Sequence, residues 1–302
     1  MSQNIIMRPA YNRPEMLQLS IEYEIEARKT ANIKDNEYLT FFLIEYGAPK
    51  KIIYIIQAYP YPSICRFRNR WWRLPKRRKY GITRNLLEGM KEGFKIAEHH
   101  CVVIEDDILI HKTYFQYINA ILSLPEAQNF SAICSVSPSN TGNPTIVHKG
   151  NDYSPWASLL SKKFWSNYIK PYSNEFYYSN RTKTVIGINN KYKKYWNNAY
   201  KFGKIKKFDN HDGLINRLVD AAVIEQQMFV VIPEIDRQVH IGVYGTNTPG
   251  KIIPGNSYEE RIQTLTTFIS SNKLSELTES TIISFKHFSP LLDEFQKPIV
   301  LD

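Results

Sequence analysis

Strongly apolar strands that alternate with amphipathic helices limit, more than any other feature, how this chain can fold. Tyr38–Ile44 is dominated by apolar residues, and residues 81–97 repeat their apolar positions every three or four residues. A strand that is apolar on both sides has to be buried on both faces, which favours a mostly parallel sheet covered by helices. The pattern therefore predicts an α/β fold.

The same patterns place the other elements of the predicted fold. Strands are predicted at 4–7, 38–44, 52–56, 102–104, 130–136 and 228–232, and helices at 15–29, 81–97 and 258–269. Ligands of such sheets collect at the carboxyl ends of the strands. Polar side chains that come directly after a strand are therefore the candidates for a functional site.

Three consecutive carboxylates come directly after the strand predicted at 102–104. Glu105, Asp106 and Asp107 repel one another, and their desolvation at the end of a buried strand is unfavourable. A divalent cation such as Mn²⁺ or Mg²⁺ would compensate, because these ions prefer oxygen ligands. The alternative is a solvated turn. The apolar strand before the triplet and the polar residues at other strand ends favour a functional site.

Positive charge is concentrated in one segment of the chain. The net charge is +10, which favours an anionic partner. Eight Lys or Arg residues lie between Arg66 and Lys79, with Trp71 and Trp72 among them. This mixture fits an anionic membrane surface or acceptor, and also single-stranded nucleic acid; a solvated basic loop is the remaining alternative. No RNA-binding or helix-turn-helix signature accompanies it, so nucleic acid is the least favoured partner.

Cysteine usage and hydropathy bear on the compartment. Cys65, Cys101 and Cys134 are odd in number and lack CxxC spacing, so neither a disulfide framework nor a zinc site is indicated. No run approaches the roughly 18 apolar residues of a membrane span, and the first residues contain no signal-peptide core. We expect a cytoplasmic protein, with the segment from Arg66 to Lys79 as the candidate for peripheral membrane contact.

Four motifs occur in the order found in one enzyme family. They are VIEDDI at 103–108 followed by aromatic residues at 114–117, SPWASLLSKKFW at 154–165, NHDGLINR at 210–217 and IPEIDRQVHIGVYG at 232–245. Together they resemble the N-acetylglucosaminyltransferase I family, which consists of inverting glycosyltransferases of the GT-A fold. The resemblance extends over roughly residues 4–250.

The resemblance implies a fold, an activity and a cofactor. The fold is a GT-A-type, mostly parallel central sheet flanked by helices, with a nucleotide-sugar-binding half at 1–110, an acceptor-binding and catalytic half at 111–250 and a helical extension at 251–302. The implied activity is transfer of a sugar, with inversion, from a nucleotide-sugar donor to a glycan or glycoconjugate hydroxyl. UDP-sugars are favoured, UDP-N-acetylglucosamine is the family default, and Mn²⁺ or Mg²⁺ is the cofactor.

Matching positions carry the family's metal and nucleotide roles to this chain. Asp107 matches the direct metal ligand, and Glu105 and Asp106 match neighbours that orient the ribose and the metal-bound water. Glu45 falls where the family places the aspartate that recognises uracil. Arg13 matches an arginine near the nucleotide.

The remaining roles concern catalysis and closure of the site. Asp212 matches the catalytic base, although it could also serve as the N-cap of a helix. Residues 242–247, which include Gly245 and Asn247, match a loop that closes over the diphosphate in the family. Trp156, in the second motif, is expected at the nucleotide sugar, and Arg84 lies just after the basic segment and could contact the donor phosphates.

Several departures from the family pattern keep other interpretations open. His211 replaces an aspartate, Glu45 is longer than the family's aspartate, and residues 172–207 form an apparent insertion. His240 could contact phosphates or a metal, or make only a local hydrogen bond. The rival class is a basic nucleic-acid-binding or metal-dependent phosphotransfer protein that uses the same acidic triplet. A nucleotidyltransferase would need a glycine-rich loop after the first strand, and residues 9–14 contain no glycine.

Overall fold

The computed structural model describes most of the strands and helices that are predicted from the sequence. The described residues are 3–67, 82–125, 128–137, 145–150, 153–171, 214–225, 228–242, 257–270 and 284–285. The predicted insertion at 172–207 lies outside them. Among the described residues, no helix combines the length and apolar character needed to cross a lipid bilayer.

Strands and helices alternate along the first half of the chain. The strands are β1 (Gln3–Ala10), β2 (Tyr38–Ile44), β3 (Ser63–Phe67), β4 (Ala97–Val103), β5 (Ile108–Ile110), β6 (Phe130–Ile133), β7 (Ile146–Gly150), β8 (Ser158–Ser161), β9 (Phe229–Pro233), β10 (Gln238–His240) and β11 (Ser284–Phe285). The helices are α1 (Pro14–Thr30), α2 (Lys50–Gln57), α3 (Ile82–Ile96), α4 (Tyr114–Leu122), α5 (Lys162–Phe164), which continues as a π-helical turn (Trp165–Ile169), α6 (Leu214–Ile224) and α7 (Tyr258–Ser270).

A central sheet of nine described strands confirms the predicted fold class. Its order is β11-β7-β9-β6-β8-β4-β1-β2-β3. Parallel pairing joins β4, β1, β2 and β3, and also β6 and β9, whereas β8 is antiparallel to both β4 and β6. The carboxyl ends of β1, β2, β3, β4, β6 and β9 therefore lie at the same edge of the sheet.

Helices cover both faces of this sheet and bury its apolar side chains. On one face α3, the π-helical turn and α6 pack around Leu87, Met90 and Phe164, which are fully buried. On the other face α4 packs Phe115 and Ile118 against the strands. Each such side chain contributes about 1.5–3 kcal/mol on burial. The double coverage explains why the central strands are almost continuously apolar.

The strand predicted at 52–56 is wrong, because this segment forms helix α2. Its apolar residues also satisfy helical spacing: Ile52 and Ile56 are buried four residues apart, whereas Tyr54 is exposed. Pro49 precedes the helix in an extended conformation and sets its start. The third strand of the chain is instead β3, so the basic segment that begins at Arg66 starts at the end of β3.

A two-stranded antiparallel ribbon stands apart from the main sheet and links distant parts of the chain. In it β5 pairs with β10, with Ile108 opposite His240. The ribbon begins directly after the acidic triplet, so it brings His240 beside Asp107. Helix α7 supports it, since Leu265 packs with Leu109 and Ile241 in one buried cluster.

Candidate active site

The acidic triplet forms a tight turn between β4 and β5 at the carboxyl edge of the sheet. The Ile104 amide still donates to the Met7 carbonyl at 2.9 Å, so strand pairing lasts until the residue before Glu105. The Ile108 amide then donates to the Glu105 carbonyl at 3.2 Å, which closes the turn. The side chains of Asp106 and Asp107 are only 5% and 6% exposed. The alternative interpretation of the triplet, a solvated turn, is therefore wrong for these two aspartates.

Arg13 is the positive partner of the two aspartates. It lies between β1 and the start of α1, which places it one strand away from the acidic turn. Its Nη1 donates to Asp107 Oδ2 at 2.5 Å and its Nη2 donates to Asp106 Oδ1. The forked guanidinium suits this double contact, which a lysine could not make in the same way.

His240 contacts the same oxygen of Asp107 as Arg13 does. Its Nε2 lies 3.2 Å from Asp107 Oδ2, and the next amide, that of Ile241, donates to the Asp107 carbonyl at 2.8 Å. Gly242 passes so close that a Cβ atom there would lie 2.5 Å from Asp107 Oδ2 and from the His240 ring. A larger residue at this position would displace the histidine or the carboxylate.

Trp156 extends the site beyond His240. It precedes β8, which pairs with β4, and its indole stacks on the His240 ring with centroids 4.8 Å apart and an interplanar angle of 15°. The Trp156 side chain is nevertheless 39% exposed. The structure therefore places Trp156 next to His240, which contacts the acidic turn, and the expected role of Trp156 at the nucleotide sugar stays a prediction.

Burial and local charge separate the three carboxyl groups by pKa. Burial works to raise the pKa of Asp107, but the hydrogen bond from His240 and the charge of Arg13 outweigh it and lower that pKa. Burial raises the pKa of Asp106 to about 6, against the lowering effect of Arg13. Burial and the charges of Asp107 and Asp106 raise the pKa of Glu105 to about 8. At neutral pH, Asp107 is the member of the triplet that is most strongly held as a carboxylate.

The arrangement around Asp107 fits a divalent cation that is shared with a ligand. Asp107 Oδ1 is buried and has no hydrogen-bond partner in the described part of the chain, so it is available for another interaction. His240 supplies a nitrogen next to it. The described residues contain no cluster of three or more acidic, histidine or cysteine side chains that would bind a metal by themselves. Mg²⁺ and similar ions commonly combine one or two carboxylates with substrate phosphates.

A fully buried ionic network between β1 and α1 supports the acidic turn. Arg8 of β1 donates to Glu24 Oε2 at 2.6 Å and to Ser20 Oγ at 2.6 Å, and the Ser20 hydroxyl donates to the Ile108 carbonyl at 2.5 Å. Arg28 donates to Glu24 Oε1 at 2.9 Å. Each of these side chains is buried and makes at least one of the bonds, although Arg8 Nε and Arg28 Nη1 have no partner among the described residues. Through Ser20 the network supports the backbone that directly follows Asp106 and Asp107.

Sequence interpretation missed this network, although part of it left a signal. Glu24 and Arg28 are spaced four residues apart on the otherwise amphipathic helix α1, which is the spacing of a helical ion pair. Arg8 interrupts the apolar strand β1 and is completely buried. A charged residue inside a strand of a doubly covered sheet indicates a buried partner.

Glu45, whose contact with the base stays a prediction, lies at the carboxyl end of β2. It comes directly after β2, its amide donates to the Ala10 carbonyl at 3.0 Å, and its side chain accepts a hydrogen bond from the Tyr46 amide at 3.2 Å. It lies two strands from the acidic turn, roughly 10 Å along the sheet edge. Glu45 and the acidic turn therefore share one edge of the sheet, with the end of β1 between them.

Glu88 of α3 makes the neighbourhood of Glu45 sensitive to pH. Burial raises its pKa from 4.5 to about 7; Arg66 opposes this rise, and Glu92 and Glu45 add to it. Between those two pH values the folded protein keeps a proton that the unfolded chain releases. The free energy of unfolding therefore falls as pH increases from 4.5 to about 7 and stays at this lower value above that range.

Glu88→Gln is expected to remove this loss of stability. Because the amide cannot ionise, the free energy of unfolding of the variant should exceed that of the wild type by about 1–3 kcal/mol at pH 8. At pH 4 the two proteins should not differ in this way. Urea denaturation at both pH values measures the difference. Glu22→Gln, which alters an exposed carboxylate of α1, is the control. An equal effect of Glu88→Gln at both pH values would contradict the assignment.

The structure describes the other predicted site residues only in part. Arg84 lies in the first turn of α3, and its side chain is not described. Asp212, Gly245 and Asn247 lie outside the described residues, so their roles stay predictions. Most of the basic segment also lies outside, apart from its first residues at the end of β3.

Comparisons with known proteins yield a similarity of fold and no family. No family model matches the chain, and no curated protein matches it. The resemblance to the N-acetylglucosaminyltransferase I family therefore stays a prediction.

Solved structures with a similar fold include a mannosyltransferase and a synthase. The chain is similar to residues 1–349 of TarS from S. aureus (11% identity, TM-score 0.39, covering 55% of this chain and 49% of that one). It is also similar to the mannosyltransferase PcManGT from Pyrobaculum calidifontis, solved with GDP-Man and Mn²⁺ (12% identity, TM-score 0.43, covering 89% of this chain and 65% of that one). A third similar structure is that of 4-diphosphocytidyl-2C-methyl-D-erythritol synthase from Anaerococcus prevotii (10% identity, TM-score 0.44, covering 89% of this chain and 99% of that one). At these scores the likeness assigns neither substrate nor reaction to this chain.

Proposed function

We propose that this protein is an inverting, metal-dependent glycosyltransferase that moves a sugar from a nucleotide-sugar donor to a hydroxyl group of a glycan or glycoconjugate. The observation that carries the proposal is the cluster of Arg13, Asp106, Asp107 and His240 at the carboxyl edge of a mostly parallel sheet. This edge is where such sheets bind nucleotides. The cluster combines oxygen ligands, a guanidinium and an imidazole, which are groups suited to a metal-bound diphosphate.

The positions of Glu45 and Asp107 support a nucleotide lying along the sheet edge. With the diphosphate at Asp107 and the base at Glu45, the ribose occupies the space over the end of β1. UDP is the favoured nucleotide, because the carboxylate of Glu45 can accept the single imide N–H of uracil. UDP-N-acetylglucosamine is the first donor to test, since it is the default of the family that the motifs resemble.

Asp107 and His240 are the residues that would hold the divalent cation. When bound, Mn²⁺ or Mg²⁺ acts as a Lewis acid that stabilises the negative charge of the departing diphosphate. Arg13 supplies a second positive group for the same phosphates. Burial of Asp107 strengthens these interactions, because screening by water is weak there.

The sugar of the donor is assigned to Trp156, and the acceptor hydroxyl is assigned to Asp212. Trp156 presents an exposed indole edge next to His240, which offers an apolar surface to a sugar ring. Asp212 is proposed to remove the proton from the acceptor hydroxyl as general base. Attack from the side opposite the diphosphate in one displacement inverts the configuration at the anomeric carbon.

Glu45→Ala tests the position of the base. Loss of a charge-assisted hydrogen bond to uracil should weaken UDP binding by about 1–3 kcal/mol. Isothermal titration calorimetry with UDP and Mn²⁺ measures this difference. Glu37→Ala changes a carboxylate at the opposite end of the same strand and should leave the affinity unchanged. Normal UDP binding by Glu45→Ala would place the base elsewhere.

A panel of nucleotide sugars tests the proposed function itself. UDP- and GDP-sugars are incubated with the protein in the presence and absence of Mn²⁺, and released nucleotide is measured. Metal-dependent release of UDP from a UDP-sugar, at least through slow hydrolysis, is expected. Release of pyrophosphate from a nucleoside triphosphate and a sugar phosphate, without any turnover of nucleotide sugars, would instead identify a nucleotidyltransferase.

A further inference from the structure

Arg13 provides a positive charge that is bonded to the acidic turn. The guanidinium of Arg13 bonds to Asp106 and Asp107 together, and its side chain is 16% exposed while the two carboxylates are nearly buried. No other arginine or lysine contacts these two carboxylates among the described ion pairs. Arg13 thus provides the main positive charge that neutralises Asp106 and Asp107.

A divalent cation at Asp107 would come into conflict with this arrangement. Asp107 Oδ2 already accepts from Arg13 at 2.5 Å and lies 3.2 Å from His240 Nε2. A metal held by Asp107 and His240 would stand within a few ångströms of the guanidinium. Like charges at that separation repel strongly where burial reduces screening. Asp107 Oδ1 remains open to a metal among the described residues, so the conflict lies in the charge of the nearby guanidinium and not in a shared oxygen atom.

We propose that Arg13 is a tethered cation that makes the divalent metal and the donor diphosphate bind as a pair. With neither present, Arg13 occupies Asp106 and Asp107 and opposes binding of the metal alone. When metal and diphosphate arrive together, Arg13 releases Asp107 and donates to the phosphate oxygens, whose negative charge compensates for the metal. The inference rests on the proposed function and adds the coupling between the two ligands.

The anchoring of Arg13 is compatible with this exchange. Its backbone is fixed, because Pro14 begins α1 and the Leu17 amide donates to the Arg13 carbonyl at 3.0 Å. The guanidinium lies at the end of a long side chain that is 16% exposed. Asp106 can keep one Nη group in place while the other turns from Asp107 to a phosphate, so only a small side-chain movement is required.

Titration with Mn²⁺, followed by electron paramagnetic resonance of the free ion, tests the coupling without reference to turnover. Affinity is measured for the wild type and for Arg13→Gln, each with and without saturating UDP. The wild type should bind Mn²⁺ at least tenfold more tightly with UDP. In Arg13→Gln, binding of Mn²⁺ alone should become at least tenfold tighter, and the gain from UDP should shrink by a similar factor. By thermodynamic linkage, Mn²⁺ should improve UDP binding less in the variant.

Two further variants make each outcome decisive. Arg66→Gln removes one positive charge at the end of β3, where Arg66 pairs with Glu92, and should leave Mn²⁺ binding unchanged. Arg13→Lys keeps the charge without the fork, should give intermediate values, and carries the test if circular dichroism shows that Arg13→Gln is unfolded.

The outcomes separate the inference from the proposed function. If the wild type binds Mn²⁺ with UDP but neither Arg13 variant binds Mn²⁺ alone more tightly, Arg13 does not oppose the metal and the inference is overturned while the proposed function stands. If no form binds Mn²⁺ even with UDP, the metal site at Asp107 and the inference both fail.

Discussion

Asp107→Asn is expected to weaken UDP binding in the presence of Mn²⁺ by on the order of 100-fold. Asp107 is the triplet member whose pKa is lowered, and it holds a buried oxygen that is unpaired within the described part of the chain. It is also the proposed meeting point of metal, His240 and Arg13. Asparagine preserves the size of the side chain but removes the charge that a metal requires. Calorimetry of UDP binding, with and without Mn²⁺, measures the loss.

The metal-free titration gives the decisive comparison for Asp107. Without Mn²⁺, the variant should bind UDP about as well as the wild type does, because the difference arises from the cation. Asp35→Asn, at an exposed position before β2, controls for the change in net charge. Unchanged Mn²⁺-dependent affinity in Asp107→Asn would place the metal site elsewhere.

Asp212→Asn is expected to lower the rate of sugar transfer by about 10²–10⁴-fold while donor binding stays intact. An amide cannot accept the proton of the acceptor hydroxyl. Asparagine caps a helix as well as aspartate does, so the variant preserves the structural role that Asp212 would have at the start of α6. The measurement combines turnover under saturating donor and acceptor with calorimetry of UDP and Mn²⁺.

A neighbouring residue provides the matched control for Asp212. Asp209→Asn makes the same chemical change three residues earlier and should leave the rate within a few-fold of the wild type. If Asp212→Asn turns over normally, its role is limited to capping and another group must act as base. If both substitutions reduce the rate equally, the effect belongs to the segment as a whole.

The sequence was sufficient to locate the acidic turn and Arg13, because both are polar groups placed just beyond the end of a strand. An apolar run that ends in charges is a local pattern, and parallel pairing then brings successive strand ends together. Helix α2 shows where local patterns fail: Ile52, Ile53, Ile55 and Ile56 fit a short buried strand and one side of a helix equally well. Only packing against its neighbours decides between them.

The contact between His240 and Asp107 could not be predicted, for a different reason. It depends on the pairing of β5 with β10, two strands of three residues each that carry little signal in sequence. The same holds for Trp156, whose ring meets His240 only because β8 returns antiparallel beside β4. Which short strands pair over a long distance depends on the assembled sheet. Local periodicity in the sequence does not predict such pairing.

The pairing of β5 with β10 also has a consequence for the order in which the protein is made. More than one hundred residues must leave the ribosome after Asp107 before His240 can reach it, whereas Arg13 has been synthesised long before the acidic turn. Closing so long a loop is entropically unfavourable until the intervening strands have folded. In a nascent chain, Arg13 can therefore shield the aspartates early, and the histidine joins them only when most of the sheet is complete.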